Sequence, residues 1–393
     1  MAVIVQKYGG SSVADVEKIA QVAERVVATR RDGHDVVVVV SAMGKTTDEL
    51  LALAKRTSSE GRDAPRRELD MLVSTGERVT MALLSIAIHA RGFEAISFTG
   101  SQSGILTNDR HFDARIIEVR PHRIEDELAR GRIVIVAGYQ GMSYKREITT
   151  LGRGGSDTTA VSLAAALGAE RCEIYSDVDG VYSADPRVVP DPKHLPTLDL
   201  AVLAEMAEAG AKVLNAQAVE WARRSKVAII ARKTADLANR RETVAREDDI
   251  VPVSDDNRNV RAIVGSRNVM LARTPALTGF LAAANQVELP VGDIVAVKGE
   301  ATVHVPLLNV PDFARCVTAI EAATRGTTRF EGPFAVVSVV GYGLTGASNA
   351  VGRVLEILGP VEALSAGPLR ISATIPEPAL DDAQRALHAA FVV

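Results

Sequence analysis

The strongest candidate for chemistry is a glycine-rich stretch that runs directly into an alanine-rich helix pattern. Residues 149–159 read TTLGRGGSDTT. Its three glycines let the backbone approach a ligand closely and can turn amide groups toward an anion. Ser156 or Asp157 could cap the helix, whose positive end favours phosphate or carboxylate. Arg153 offers a planar fork for a carboxylate, although a plain glycine-rich turn with a surface arginine fits the same letters.

A lysine beside two glycines is the second candidate. Lys7 follows the first apolar run and is followed in turn by Gly9 and Gly10. A lysine over a glycine-rich turn can grip a phosphate group, but a solvated strand end would also carry a lysine. Glu77, within the letters STGER, is either a binding carboxylate or an acid that stabilises the first turn of a helix.

Residues 176–187 read SDVDGVYSADPR and supply a third candidate. The aspartates of this segment could form turns, or they could face a nucleotide with Tyr182 beside its base. The letters GKT at 44–46 do not make a phosphate-binding P-loop, because Val39 stands where that motif needs glycine. Protein kinase and dinucleotide fingerprints are also missing, and the seven histidines form no metal motif. We expect no metal held wholly by protein ligands.

Composition limits the remaining classes of function. The 393 residues exceed one compact domain, and 47% apolar with 24% charged residues is ordinary globular composition. A net charge of −4 gives no general case for nucleic-acid binding. Two distant cysteines form no disulfide framework, and no apolar run approaches the roughly 20 residues of a membrane span. Without a signal peptide, a soluble cytoplasmic protein is expected.

The elements that position these candidates alternate between strand and helix patterns. Strand-like runs are expected at 3–6, 36–41, 95–98, 133–137 and 172–176, and helices at 13–30, from about residue 48, and at 157–167. This alternation predicts an α/β fold with a mainly parallel sheet covered on both faces. In such sheets the ligand lies beyond the carboxyl ends of the strands, where three of these runs end in polar or glycine-rich loops.

The composition also suggests where the domains divide. We expect a catalytic domain at 1–240 and a charged linker at 241–259 that is poor in large apolar residues. Two small α+β units should follow at 260–332 and 333–393. Each unit is short for an independent domain, so both should pack on each other or on a second subunit.

Taken together, six segments resemble the aspartate kinases of the amino acid kinase family, in the family's order. They are 7–12, 39–50, 74–78, 136–141, 148–160 and 176–187. The resemblance implies an open αβα sandwich followed by two ACT-like regulatory units. It also implies transfer of the ATP γ-phosphate to the β-carboxylate of L-aspartate, with Mg²⁺ bound through the nucleotide.

The same resemblance assigns roles to individual residues. Lys7 would neutralise charge on the transferred phosphoryl group, and the amides of Gly9 and Gly10 would help it. Arg153 would bind the substrate α-carboxylate, and Glu77 with Asp157 would hold its ammonium group. The remaining residues implied are Ser41 and Thr47 in the substrate pocket, and Ser11, Ser176, Asp177, Tyr182, Arg187 and Lys212 on the nucleotide side.

The chain departs from the family pattern after Lys212 and again in the C-terminal region. After Lys212 it reads Asn215-Ala216-Gln217 where the family has His-Pro-Arg, which bears on nucleotide affinity. The loops expected to catch a regulatory amino acid read ARTPA at 272–276 and AGP at 366–368. We therefore expect reduced or absent inhibition by lysine and threonine, with the C-terminal region kept for assembly into a homodimer or larger homo-oligomer.

Two other hypotheses remain open at this stage. One is an amino acid kinase that acts on a related acid in a specialised pathway. The other is a non-catalytic amino-acid sensor or regulatory partner, which predicts loss of Lys7 or Asp157. Both residues are present.

Overall fold

The computed structural model describes residues 1–58, 63–211, 214–234, 241–247, 259–345 and 349–392. The chain divides into two compact units. The first comprises Met1–Val181, Leu195–Leu203 and Val213–Ile250, and the second comprises Tyr182–His194, Ala204–Lys212 and Val251–Val393.

Strands and helices are numbered separately in chain order. The strands are β1 Val3–Tyr8, β2 Asp35–Val40, β3 Ala95–Phe98, β4 Ile105–Thr107, β5 Ile116–Val119, β6 Ile133–Ala137, β7 Gln140–Ser143, β8 Ile148–Thr150, β9 Arg171–Ser176, β10 Val181–Tyr182, β11 His194–Leu195, β12 Thr197–Asp199, β13 Ala228–Lys233, β14 Glu242–Arg246, β15 Val260–Thr274, β16 Ile294–Val297, β17 Glu300–Pro306, β18 Arg329–Gly341, β19 Ala363–Ala366 and β20 Arg370–Pro376. The helices are α1 Val16–Arg31, α2 Thr46–Thr57, α3 Arg66–His89, α4 His122–Ala129, α5 Gly155–Ala166, α6 Leu200–Glu208, α7 Ala216–Ser225, α8 Leu277–Gln286, α9 Phe313–Ala323, α10 Ala350–Leu358 and α11 Leu380–Phe391.

The first unit is built on an eight-stranded sheet in the order β12-β14-β13-β9-β1-β2-β6-β3. Its described strand pairs are parallel except β13 with β14. The five valines of 36–40 are fully buried, as expected of a parallel sheet covered on both faces. The expected α/β architecture is therefore confirmed. Strand β14 occupies residues 242–246, which the sequence had placed in the linker.

A second sheet of four short strands, in the order β5-β4-β7-β8, belongs to the same unit. The sequence did not predict it, because strands of three or four residues leave little periodicity to detect. Strand β8 ends at Thr150, immediately before the glycine-rich loop. This small sheet therefore sets where that loop begins.

Helix α3 is long and largely apolar, but it also carries two buried carboxylates. It is the one helix in the described residues long and apolar enough to cross a membrane by length and composition. Its inner face carries the buried carboxylates of Asp70 and Glu77, and the helix packs on α1 and on the sheet. One such helix is weak evidence for a membrane span, because the core helix of a soluble protein can have the same length and composition.

The second unit contains a six-stranded sheet in the order β16-β17-β15-β18-β20-β19. All of its strand pairs are antiparallel. Strand β15 is 15 residues long and pairs with both β17 and β18. One hydrophobic core lies under α8 and α9, and another lies under α10 and α11. The two expected C-terminal segments thus share one sheet.

A buried carboxylate on β9 links the central strands of the large sheet. Glu173 is 2% exposed, and it accepts hydrogen bonds from Gln6, Arg171, Tyr175 and Arg232, each at 2.9 Å. Burial opposes its ionisation, but Arg232 and these hydrogen bonds outweigh burial and hold the pKa of Glu173 below its ordinary value. Glu173 therefore stays ionised within the core.

Replacing Glu173 with alanine should lower the free energy of unfolding by about 3 to 5 kcal/mol, because its arginine partners lose their counter-charge. Urea denaturation at pH 7 measures the change. Glu170→Ala is the matched control, since Glu170 pairs with the same Arg171 while its side chain is 49% exposed. It should cost less than about 1 kcal/mol. Equal losses in the two variants would contradict the prediction that the buried Glu173 stabilises the fold more than the exposed Glu170.

Candidate functional site

Loops that follow several strands of the first unit are tied together by direct contacts. The amide of Ser41 donates to the carbonyl of Tyr8 at 3.1 Å, and the amide of Gly44 donates to the carbonyl of Gly10 at 3.1 Å. The amide of Ala42 donates to Glu77 Oε1 at 3.1 Å. The loop after β2 is thus held against the loop after β1 on one side and against helix α3 on the other.

Lys7 and Asp157 form the centre of this arrangement. Lys7 Nζ lies 2.6 Å from Asp157 Oδ1, and both side chains are about one-tenth exposed. The contact is a buried ion pair. Such a lysine is buried, held in place and close to solvent. It can exchange a protein carboxylate for an incoming anion.

The backbone beside Lys7 leaves little space for a side chain at Gly10. A Cβ on Gly9 would lie 3.6 Å from Lys7 Nζ, and a Cβ on Gly10 would lie 3.0 Å from the carbonyl oxygens of Ala42 and Gly44. Gly9 donates its amide to Tyr175 O at 3.1 Å, so this amide, which the resemblance directs at the phosphoryl group, is already bonded to the backbone of the protein. Ser11 is exposed at the start of the short helical turn that follows.

One carboxylate oxygen of Glu77 is buried without a hydrogen-bond partner. Its side chain is 3% exposed, and Oε2 is buried with no hydrogen-bond partner. Burial raises the pKa of Glu77 to about 7, although the Ala42 amide favours the ionised form. Such a carboxylate can bind an ammonium group that enters beside it.

Arg153 lies further out than the resemblance implies. Its side chain is 59% exposed, and its guanidinium pairs with Asp48 at 2.9 Å. Asp48 directly follows the half-buried Thr47 at the start of α2. The pair therefore brings the arginine to the same loop as the predicted pocket residues Ser41 and Thr47.

Helix α5 begins differently from the sequence expectation. Its N-cap is Gly154, in the left-handed conformation with φ 77°, and no side chain caps the helix. Ser156 and Asp157, predicted as alternative caps, instead lie in the first turn, both buried. Glycine can adopt this backbone without cost, which leaves Asp157 available to Lys7.

On the predicted nucleotide side, the end of β9 is joined to the loop after β1. Thr234 donates its amide to Ser176 O at 2.9 Å, and its hydroxyl lies 2.6 Å from that of Ser12. Asp177 is exposed beside them. Thr234 was not singled out from the sequence, because an isolated threonine after a strand carries no pattern.

Two further residues that the resemblance assigns to the nucleotide side are not part of the first unit. Tyr182 and Arg187 belong to the second unit. There Tyr182 packs edge-on against His194 at 5.3 Å between ring centroids, and Arg187 pairs with Asp185 at 2.8 Å. Lys212 lies outside the described residues.

The departure at residue 215 has a structural use. Asn215 caps α7 by accepting the Gln217 amide at 2.8 Å. Its Nδ2 donates to the carbonyl of Arg153 at 2.9 Å, and its Oδ1 accepts from Thr158 at 3.3 Å. The asparagine therefore holds the glycine-rich loop to the next helix.

Comparison with known proteins decides the family. The sequence pattern described as the amino acid kinase family matches residues 2–232. This chain belongs to the amino acid kinase family. It is 41% identical over its full length to the aspartokinase of Mycolicibacterium smegmatis, covering 96% of that protein. It is 38% identical over its full length to the aspartokinase of Geobacillus stearothermophilus, covering 97% of it.

Solved structures of similar proteins agree with this membership. E. coli aspartokinase III in complex with aspartate and ADP has a TM-score of 0.82 at 23% identity, covering 98% of this chain and 99% of that one. This similarity bears on the fold. The aspartate kinase from Synechocystis is 33% identical with a TM-score of 0.56, and the match covers this whole amino acid kinase chain and 70% of the Synechocystis one.

Sequence analysis of this amino acid kinase missed a group of buried residues beside the glycine-rich loop. Tyr139, Thr150 and Asp70 are all at most 8% exposed, and the Thr150 hydroxyl donates a hydrogen bond to Asp70. Burial raises the pKa of Tyr139 well above its ordinary value. One signal was available, because Asp70 stands seven residues before Glu77 and thus on the same face of α3.

Proposed function

We propose that this chain is an aspartate kinase that transfers the γ-phosphate of ATP to the β-carboxylate of L-aspartate. The observation that carries the proposal is the buried, unpartnered oxygen of Glu77, held against the same loop that contacts the glycines beside Lys7. An amino acid substrate brings an ammonium group for Glu77. The full-length similarity to curated aspartokinases supports the same choice.

The proposed residues act by positioning and by charge. A β-carboxylate oxygen of aspartate attacks the γ-phosphorus, the bond to the bridging oxygen breaks, and ADP leaves with that oxygen. The attacking carboxylate is already ionised at neutral pH, so no general base is required. Lys7, moving from Asp157 to the phosphoryl oxygens, would stabilise the charge that develops there. Arg153 would bind the α-carboxylate, with Ser41 and Thr47 beside it.

The nucleotide would bind across the loop after β1 and the end of β9. Gly9, Gly10 and Ser11 would lie at its phosphates, and Ser176 and Asp177 would lie farther along the nucleotide. We propose the same side for Tyr182, Arg187 and Lys212. Among the described residues, no group of three or more His, Cys, Asp or Glu side chains is suited to hold a metal. Mg²⁺ would therefore be bound by the phosphate oxygens, where it neutralises charge.

Hydroxylamine trapping tests the function directly. Protein, Mg·ATP and L-aspartate are incubated with hydroxylamine, which converts an acyl phosphate to a coloured hydroxamate. Aspartyl hydroxamate that depends on both substrates supports the proposal. Its absence, together with hydroxamate from glutamate or another acid, would assign a related amino acid kinase. Absence with every acid, accompanied by calorimetric binding of aspartate without turnover, would indicate a sensor.

Gly10→Ala should lower kcat/KM for ATP by about tenfold, because the new methyl group pushes two loops apart by a few tenths of an ångström. The carbonyl oxygens of Ala42 and Gly44 lie 3.0 Å from its position. Gly279→Ala on α8 is the matched control, since no atom lies within 4 Å of the added carbon. Steady-state kinetics compares the two variants, and similar losses in both would contradict the steric argument.

We propose that regulation is weakened while the C-terminal region still supports a homodimer or larger homo-oligomer. The domains would be those expected from the sequence, with β14 added to the catalytic domain, and the protein would act in the cytoplasm. One of the solved structures similar to this chain is E. coli aspartokinase III in complex with lysine and aspartate.

Hydroxamate formation with 5 mM lysine, threonine or both is expected to remain within about twofold of the uninhibited rate. The loops at 272–276 and 366–368 differ from the effector-binding sequences expected there. Each charged hydrogen bond lost through such a difference costs affinity about tenfold or more. Leucine at the same concentration is the control for a non-specific effect. Suppression by lysine or threonine alone would refute weakened regulation and leave the kinase assignment intact.

A further inference from the structure

The starting point is a carboxylate that the proposed reaction does not use. Asp70 is completely buried on α3, two helical turns before Glu77. Its neighbours on that inner face include the buried apolar residues Leu69 and Val73. A buried charge is costly and adds little stability compared with an apolar residue of similar size. Its presence here therefore calls for a role other than packing.

Asp70 uses both of its oxygens on segments outside α3. Oδ1 accepts hydrogen bonds from the hydroxyl of Thr150 and from the amide of Phe112, the latter at 3.0 Å. Oδ2 lies 2.6 Å from Nδ1 of His111. One side chain thus joins α3 to the end of β8 and to the loop between β4 and β5.

Thr150 is the last residue of β8 and is held on every side. Its carbonyl accepts the amide of Ala114 at 2.8 Å, and its hydroxyl donates to Asp70. The next residue, Leu151, donates its amide to the carbonyl of Tyr139 at 2.9 Å. The glycine-rich loop then begins, carrying Arg153 and leading to Asp157.

Two residues of this group have costly backbone conformations. Phe112 has φ 70° and Tyr139 has φ 69°, a region that non-glycine residues rarely adopt. Such conformations persist when surrounding contacts fix them, and they are concentrated at functional sites. The Asp70 carboxylate bonds the amide of Phe112 directly, and the carbonyl of Tyr139 is bonded to Leu151, the residue after Thr150.

We infer that Asp70 is a positioning residue for the amino acid substrate: through Thr150 it fixes the start of the glycine-rich loop, and hence where Arg153 meets the α-carboxylate. This inference rests on the proposed function for the identity of the ligand. It predicts a larger effect on KM for L-aspartate than on KM for ATP, because Asp70 bonds the segments before the glycine-rich loop rather than the loop after β1.

The kinetic test uses Asp70→Asn, Thr150→Val and the double variant in the full-length chain. Each single variant should raise KM for L-aspartate about tenfold while KM for ATP stays within about twofold. The double variant should be no worse than the poorer single variant, because both remove one linkage. Thr150→Ser keeps the hydroxyl and should restore near-normal KM. Equal changes in both KM values, or additive losses in the double variant, would overturn the inference.

A matched control separates positioning from loss of stability. Glu127 is 7% exposed and binds Arg130 and Arg132, each at 2.7 Å, on α4. Glu127→Gln should lower Tm without altering KM for either substrate. If Asp70→Asn behaves in the same way, with a lower Tm and unchanged KM, the carboxylate has only a structural role and the inference fails.

Hydrogen exchange distinguishes failure of this inference from failure of the proposed function. In Asp70→Asn, backbone amides at 151–157 should exchange at least fivefold faster than in the wild type, while those at 9–13 stay unchanged. This readout needs no substrate. If the wild type forms no aspartyl hydroxamate but Asp70→Asn still shows faster exchange at 151–157, the aspartate kinase proposal fails and the positioning role of Asp70 stands. Unchanged exchange at 151–157 would refute the linkage even in an active enzyme.

Discussion

Replacing Lys7 with methionine should lower kcat for aspartyl phosphate formation by about a thousandfold, the scale seen when a pre-positioned stabilising charge is removed. Phosphoryl transfer depends on positioning and charge neutralisation, and Lys7 is a buried cation in the strand that leads into the glycines of the proposed phosphate loop. Methionine keeps most of the side-chain volume. The loss should therefore appear in kcat measured by hydroxamate formation, with KM for L-aspartate changed by less than about threefold.

Lys18→Met supplies the control for Lys7→Met. Lys18 is 45% exposed on α1 and lies 3.9 Å from Asp15, so its loss should leave kcat unchanged. Lys7→Met also leaves Asp157 buried without its ion-pair partner, so the double variant with Asp157→Asn tests whether the loss comes from an unpaired carboxylate. Recovery of kcat in that double variant would show that Lys7 only balances Asp157, contrary to the proposed role.

The large sheet could be predicted because its signals are local. The valines of 36–40 and the apolar run at 133–137 became β2 and β6 within one residue of the expected limits. Loops that follow parallel strands meet at one sheet edge, so placing the segments near Lys7 and Ser41 together required only the alternation of elements. These predictions depended on patterns of two to five neighbouring residues.

The contacts within the site could not be obtained in this way. The pairing of Lys7 with Asp157 joins residues 150 positions apart, and that of Arg153 with Asp48 joins residues 105 positions apart. Periodicity places a residue on an element but does not fix which carboxylate a lysine reaches. The resemblance assigned Asp157 to the substrate ammonium group, whereas the structure places it against Lys7.

Position 157 shows how the two assignments can belong to one reaction. Before substrates bind, Asp157 balances the buried charge of Lys7 at 2.6 Å. In the proposed reaction, phosphate oxygens would take over Lys7, and Asp157 would then be left to bind the substrate ammonium group. The ion pair would then keep both groups charged and oriented in the empty enzyme, at the cost of exchanging partners on binding.

Glu77→Gln should raise KM for L-aspartate about a hundredfold and at the same time stabilise the substrate-free protein. The first effect follows because the amide cannot balance an ammonium charge in a buried site. For the second, the folded pKa of about 7 lies above the ordinary value of 4.5. A raised carboxyl pKa means that stability is greatest at low pH and falls as pH rises from about 4.5 to about 7.

Glutamine carries no such penalty, so Glu77→Gln should exceed the wild type in free energy of unfolding by about 2 to 3 kcal/mol at pH 8 and by less than about 1 kcal/mol at pH 5. Urea denaturation at the two pH values measures this difference. Kinetics gives an independent check: kcat/KM for aspartate should rise with pH through about 7 in the wild type, because only ionised Glu77 binds the ammonium group. That inflection should be missing in Glu77→Gln. A variant with weaker aspartate binding but lower stability at pH 8 would show that Glu77 is satisfied in the empty protein. The substrate ammonium would then need another partner.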